Sequence, residues 1–145
     1  MYEMNSSAGP SVAADLQKVF GDLSLSGTVT LDLTDLAVSP TAFAPDTTLS
    51  LINSTGTWNG GFFTYAGNEL ANHEVFTAGL NTWQINYDAS GGGLNYASEY
   101  TPGQFVTLTA IPEPGSRLVL GCLFGPCAFL RSRRNELARG GRAAP

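Results

Sequence analysis

The chain has 145 residues, which fits one domain with appendages. Only 13% of residues are charged and 17 are glycine, a mixture that suits extended, turn-rich β structure better than helices. The net charge of −5 is split: residues 1–116 hold one Lys against eleven acids, and residues 117–145 hold six Arg against one Glu, so the acidic body excludes nucleic-acid binding through phosphate contacts.

Both cysteines, Cys122 and Cys127, lie in the basic C-terminal part. The body therefore holds neither a disulfide framework nor a thiolate metal site. The opening stretch, MYEMNSSAGPSVAADLQKVFG, lacks the basic and apolar regions of a signal peptide. The C-terminal features below make sense only after export, so the expectation is that the natural chain begins further upstream.

Taken in chain order, residues 1–19 are polar and without a period, and are expected to be poorly structured. A β domain is expected over 20–111. In DLSLSGTVTLDLTDL, Leu23, Leu25, Val29, Leu31 and Leu33 alternate with Ser, Thr and Asp, the period of a strand with one apolar face. Pro40 and Pro45 break the chain, and TTLSLIN follows as a further strand. Asn59-Gly60-Gly61 and Gly67-Asn68 mark turns around an aromatic strand, Phe62–Tyr65. NTWQINYD places Trp83, Ile85 and Tyr87 on one face. ASGGG turns the chain, and LNYASEY and QFVTLTAI read as the last strands. LSLSGT at 23–28 is echoed by LSLINSTGT at 49–57, and a Thr-x-Leu rhythm returns at 107–109. A period of about 20–30 residues suits the coils of a β-solenoid. Short strands separated by turn signals equally suit a β-sandwich. Pattern alone does not choose between these two all-β architectures.

Leu118 to Leu130 is a run of 13 residues without a charge. As a helix it would be about 20 Å long, against a hydrocarbon core of about 30 Å. It thus predicts a marginal transmembrane helix, better suited to a temporary anchor than a permanent one. Arg131, Arg133 and Arg134 flank it and would lie on the cytoplasmic side. Residues 135–145 are expected to be a disordered tail.

Pro112-Glu113-Pro114, the apolar run and the arginine cluster, in this order, resemble a PEP-CTERM protein-sorting signal of Gram-negative bacteria. The resemblance implies recognition of Pro112, Glu113 and Pro114 by an exosortase, a membrane-embedded transpeptidase-like protease. It also implies transient anchoring in the inner membrane through 118–130, stop-transfer by Arg131, Arg133 and Arg134, and delivery to the cell surface or extracellular matrix. Here NELARGGRAAP extends beyond the arginines, and Cys122, Pro126 and Cys127 interrupt the run. The stretches GTVTLDL, GTWNGGFFTYAGNE, TWQINYD and GQFVTLTAIPEP resemble the terminal part of proteins with autotransporter-associated β-strand repeats. That resemblance implies a right-handed parallel β-helix, with 23–111 as its last coils and closing segment.

Candidate chemistry is sparse. His73, the one histidine, has Glu69 and Glu74 nearby, too few ligands for a metal site, so a solvated loop residue is expected. Asp32 and Asp35 are the closest acid pair in the body and read as solvated, turn-forming residues rather than a glycosidase pair. Neither a Gly-x-Ser-x-Gly elbow nor a calcium-loop spacing occurs. No catalytic residue, metal or cofactor is expected. Trp58, Phe62, Phe63, Tyr65, Trp83 and Tyr87 make an aromatic-rich region whose commoner fate is a core. If exposed, Trp58 and Trp83 are the candidates for stacking on sugar rings. Asn5-Ser6-Ser7 and Asn53-Ser54-Thr55 match a glycosylation acceptor pattern that means little in a bacterial protein. The expectation is an exported, non-enzymatic structural or adhesive protein. The alternative is a secreted carbohydrate-binding β-sandwich that engages extracellular polysaccharide and carries the same tail.

Overall fold

The alternating runs NTWQINYD and QFVTLTAI become the two longest strands, whereas DLSLSGTVTLDLTDL, read as one strand, yields only two short ones, Val29–Thr30 and Leu33–Asp35. The computed structural model describes residues 1–9 and 13–112, and ten strands order them: β1 (Tyr2–Met4), β2 (Gln17–Val19), β3 (Val29–Thr30), β4 (Leu33–Asp35), β5 (Thr48–Ser54), β6 (Phe63–Tyr65), β7 (Asn68–Glu69), β8 (Val75–Ala78), β9 (Asn81–Ala89) and β10 (Gln104–Ile111). One 3-10 turn, Ala97–Glu99, is the sole helical element among the described residues. The strands form a five-stranded mixed sheet in the order β2-β5-β10-β9-β8, a three-stranded sheet β3-β6-β7 and a pair β1-β4. The described compact unit runs from Met1 to Pro112.

The fold is all-β, as the composition predicts. No solenoid coil recurs among the described residues, contrary to the β-helix expectation. In a β-helix each strand lies parallel to its counterpart one coil later. Here β5, β10, β9 and β8 pair antiparallel throughout, and parallel pairing among the described residues is confined to the short ladders β1-β4, β2-β5 and β3-β6 and the single bridge Leu23–Trp58. The sequence echo does not mark the register either, because Leu23 bridges Trp58 rather than Leu49. Residues 1–19 also depart from expectation. β1 and β2 both pair, and Tyr2, Met4, Ala13 and Ala14 are buried. Their apolar residues are too few and too scattered to show a period, yet each is covered by a neighbour distant in sequence.

Register explains the core. Leu49 faces Leu108, which faces Ile85, and all three are fully buried in one row across the sheet. Trp83, Ala110, Val106, Ile52 and Tyr87 extend that apolar face. Each fully buried large side chain contributes about 1.5–3 kcal/mol. Between Val106–Ile52 and Thr107–Ser50 the register slips by one, leaving Leu51 as the extra residue of a bulge.

The opposite face is polar and nevertheless buried. Ser50, Asn53 and Thr107 point away from the apolar face, and loop 90–103 folds over them. Two asparagines act there as surrogate backbone. Asn95 Oδ1 accepts from the Ser50 N–H (2.7 Å), and its Nδ2 donates to the carbonyls of Ser50 (3.0 Å) and Asp15 (2.9 Å). Asn53 Oδ1 accepts from the Thr101 N–H (2.7 Å), and its Nδ2 donates to the Thr101 carbonyl (3.1 Å). The Gly93 N–H donates to Ser50 Oγ (2.7 Å), and the Tyr100 hydroxyl lies 2.8 Å from Ser50 Oγ and 2.7 Å from the Asn95 carbonyl. Tyr100 gives its one proton to a carbonyl, so Ser50 donates to Tyr100. Gly93 is required where it stands, since a Cβ there would overlap the Thr48 carbonyl.

Replacing Asn95 by Ala strands the Ser50 N–H and neighbouring carbonyls in a buried site. We expect Asn95→Ala to lower stability by about 2–3 kcal/mol, with an unchanged denaturant slope in urea unfolding. A loss below about 0.5 kcal/mol would show that the loop does not depend on this side chain.

Candidate functional site: a cleft between two sheets

Chain 17–30 follows chain 52–64 in parallel, at an offset of 35 residues at Gln17–Ile52 that becomes 34 at Thr30–Thr64. The two ends of this lap join different sheets: β2 adds to β5 of the five-stranded sheet, and β3 adds to β6 of the three-stranded sheet. Asp22 pins the middle. It accepts from the Thr57 N–H (2.8 Å) and Asn59 Nδ2 (3.2 Å), and these bonds pull its carboxyl below the usual range. Because β2 and β3 diverge, a cleft of about 660 Å³ opens between the sheets.

Its buried apolar residues, Leu31, Leu51, Ile52 and Phe63, make a floor. Asp15, Lys18, Asp32, Tyr96 and Glu99 supply polar groups around it. Lys18 is the one Lys or Arg of residues 1–116. It pairs with Glu99 (3.2 Å), which also lines the cleft, in a half-exposed bridge worth at most about 1 kcal/mol. The bridge positions rather than stabilises, and it leaves Asp15 and Asp32 to make the cleft negative. Tyr96 enters the 3-10 turn in the left-handed region (φ 52°), an uncommon conformation for a residue with a Cβ. Its volume falls in the range of small-ligand sites, and its lining mixes apolar and polar groups.

The residues singled out from sequence fall elsewhere. Trp83 is fully buried on the apolar face of β9 against Phe43 (5.6 Å), and its Nε1 is the one buried side-chain polar atom without a partner among the described residues. Trp58 is half-buried, stacked on Tyr87 (5.2 Å, 21°), with Nε1 donating to the Gly61 carbonyl (3.1 Å). The two tryptophans therefore form no shared exposed platform. Large rings alternate onto the core face of these strands, and burial wins. His73 is an exposed turn residue (φ 65°), and no metal-binding cluster occurs among the described residues. Asp32 is exposed at the cleft, whereas Asp35 is half-buried. Burial pushes the Asp35 carboxyl up, but bonds from Ser6 and from the Ala37 N–H outweigh it and hold it below the usual range. The pair thus divides into one solvated acid and one turn clamp. Asn53 is inaccessible to glycosylation because it is fully buried.

Pro112 directly follows β10. Glu113, Pro114, the 118–130 run and Arg131, Arg133 and Arg134 lie outside the described residues. No helix among the described residues is long and apolar enough to cross a membrane. The cleft was missed at the sequence level because its parts come from 15–18, 29–32 and 96–99 and meet only through the parallel lap. The isolation of Lys18 in an acidic body was the one signal that could have drawn attention there.

Tyr87 joins the two sheets. Its hydroxyl donates to the Leu70 carbonyl (2.9 Å) and accepts from the Phe63 N–H (2.9 Å), and burial pushes its pKa up to about 12. Burial moves Tyr2 and Tyr100 in the same direction. A folded pKa above the unfolded value of about 10 means that this stability is complete below pH 10 and is lost as pH rises through 12. We expect urea midpoints to fall between pH 10 and 12. Tyr87→Phe should flatten that fall while being less stable at pH 7. An unchanged alkaline slope in the variant would place the effect elsewhere.

Against protein-family models, curated proteins and solved structures, the chain finds no match.

Proposed function

We propose that this chain is an exported, non-enzymatic structural or adhesive protein of the cell envelope, and that a C-terminal signal of the PEP-CTERM type delivers it. One observation carries the reading: Pro112-Glu113-Pro114, a charge-free run over 118–130 and Arg131, Arg133 and Arg134 follow one another in the order such a signal requires. The body supports it. The compact unit ends at Pro112, and the last strand ends at Ile111. Processing at the motif would therefore release the domain with its sheet complete. The partners are an exosortase-type membrane protease, met transiently, and the inner membrane.

Within this reading the domain is a β-sandwich-like module rather than the closing coils of a β-helix. The antiparallel order β5-β10-β9-β8 and the bonding of Tyr87 to Phe63 and Leu70, which ties one sheet to the other, favour layers. A second reading, glycan binding, is favoured by the cleft rather than by the tryptophans. Tyr96 offers a ring, and Asp15 and Asp32 offer acceptors for sugar hydroxyls.

The sorting signal is tested by intact mass and cell fractionation of the whole chain in hosts with and without an exosortase. Loss of the segment after residues 112–114 only in the host with the protease is expected. An uncut, soluble cytosolic chain in both hosts would overturn the proposal. For the cleft, neutral oligosaccharides such as cellohexaose and chitohexaose are expected to bind in the high micromolar to millimolar range, and Tyr96→Ala to weaken binding by about tenfold, a difference of about 1.4 kcal/mol. Equal binding by wild type and variant, read by calorimetry, would remove the cleft from consideration.

A further inference from the structure

Of the seven large apolar side chains exposed among the described residues, three lie toward one end of the five-stranded sheet. At one end of the five-stranded sheet lie the start of β5, the turn between β8 and β9, and the end of β10. Ile111 pairs with Thr82, Thr48 pairs with Thr109, and the Asp46 N–H donates to the Ala110 carbonyl. The segment that leads into β5 packs on the same turn, since the Phe43 N–H donates to Asn81 Oδ1 (2.7 Å). Pro112 leaves the domain at this end.

The same end carries three large apolar side chains without cover. Leu36 is 55% exposed, Leu80 is 58% exposed and Val38 is fully exposed. Between the segment of Leu36 and Val38 and the turn of Leu80 lies a hollow of about 320 Å³, lined by Met4, Leu33, Pro40, Ala78 and Leu80 together with Asp35 and Asn81. Leu80 lines this hollow, and Leu36 and Val38 lie on the chain between its lining residues Asp35 and Pro40, so the three exposed side chains belong to the segments that border one hollow. Phe20, also exposed, follows β2, whose Val19 pairs with Ser54 at the opposite end of the sheet.

We infer that this end of the domain is a membrane-facing surface, seated by Leu36, Val38 and Leu80 in the headgroup region of a lipid bilayer. The inference rests on reading 118–130 as a membrane anchor. Six residues, Pro112 to Arg117, join the last strand to that run. Fully extended, six residues span about 20 Å. An anchored domain is thus kept close to the bilayer, and it is kept there by the end that bears the apolar patch. Such tethering raises the local concentration of the surface, so a small patch suffices where an untethered one would not bind. Charge defines the lipid. Lys18 is the one Lys or Arg among residues 1–112 and lines the cleft instead, while Asp35 and Asp46 lie near the patch. The surface therefore fits zwitterionic headgroups, and anionic lipid repels it.

The whole chain would be reconstituted into phosphatidylcholine vesicles that contain a photoactivatable lipid, and crosslinked residues would be mapped by mass spectrometry. Flotation with the vesicles reports the anchor, and the crosslink map reports the seat. Crosslinks at 36–40 and 79–81 but not at 20–27 are expected. A Leu36→Ser, Val38→Ser, Leu80→Ser variant should lose them by about tenfold while still floating. Phe20→Ser should leave the map unchanged, and phosphatidylglycerol added to half of the lipid should weaken the crosslinks. A chain that floats but crosslinks evenly over the body, or only in 118–130, overturns the membrane-facing surface and leaves the anchor standing. A chain that does not float overturns the anchor and this inference with it.

Discussion

A sheet buried on both faces must satisfy two incompatible chemistries, and this constraint shapes the rest of the molecule. β5 and β10 present leucines to one side and Ser, Thr and Asn to the other, and both sides are covered. The apolar side needs only shape and area. The polar side needs a partner for every donor and acceptor, because an unpaired buried group costs about 1–3 kcal/mol. Loop 90–103 could not lie over Ser50, Asn53 and Thr107 as an ordinary apolar lid. It can do so because Asn95 offers the Ser50 backbone a peptide-like edge and because Asn53 offers the same to Thr101. The two side chains act as single residues of missing strands. Gly93 brings the loop close enough for its N–H to reach Ser50 Oγ.

The same economy explains the cleft. A lap that paired with one sheet along its whole length would close against it. Chain 17–30 changes sheets partway, with Asp22 holding the crossing point against Thr57 and Asn59. The polar groups around the opening come from β2, from the stretch around β3 and from the loop that seals the polar face. Tyr96 and Glu99 lie just before Tyr100, so the seal over Ser50 and the wall of the cleft are one segment. A change that loosened the loop would reach the cleft without touching it.

Much of the sheet was legible in the sequence. NTWQINYD and QFVTLTAI alternate over enough residues to fix a strand and its inner face, and Trp83, Ile85 and Tyr87 lie on that face as read. The polar alternates of β5 and β10 are buried as well, and nothing local in ASGGGLNYASEY announces this: LNYASEY, read as a strand, is instead a loop with a 3-10 turn that folds back over them. The direction of pairing was illegible for a different reason. LSLSGT suits a parallel or an antiparallel neighbour equally, and only closure of the long connection between β2 and β5 decides. Asp22 illustrates the limit: its partners lie 35 and 37 residues away, and its own neighbours carry no sign of them.

Where the chain leaves the domain matters for what the domain can bear. β10 is the central strand of the five, paired antiparallel with β5 on one side and β9 on the other. A pull along Pro112 acts parallel to β10 and loads both ladders in shear, so many hydrogen bonds must fail together. The same pull on β8, an edge strand with one neighbour, would have a single ladder to break. The apolar row Leu49–Leu108–Ile85 crosses the loaded strand at its midpoint and must also be exposed before β10 can slide. If the C-terminal segment holds the domain at a surface, as proposed, placing the last strand at the centre of the sheet carries the load into the most buried part of the fold.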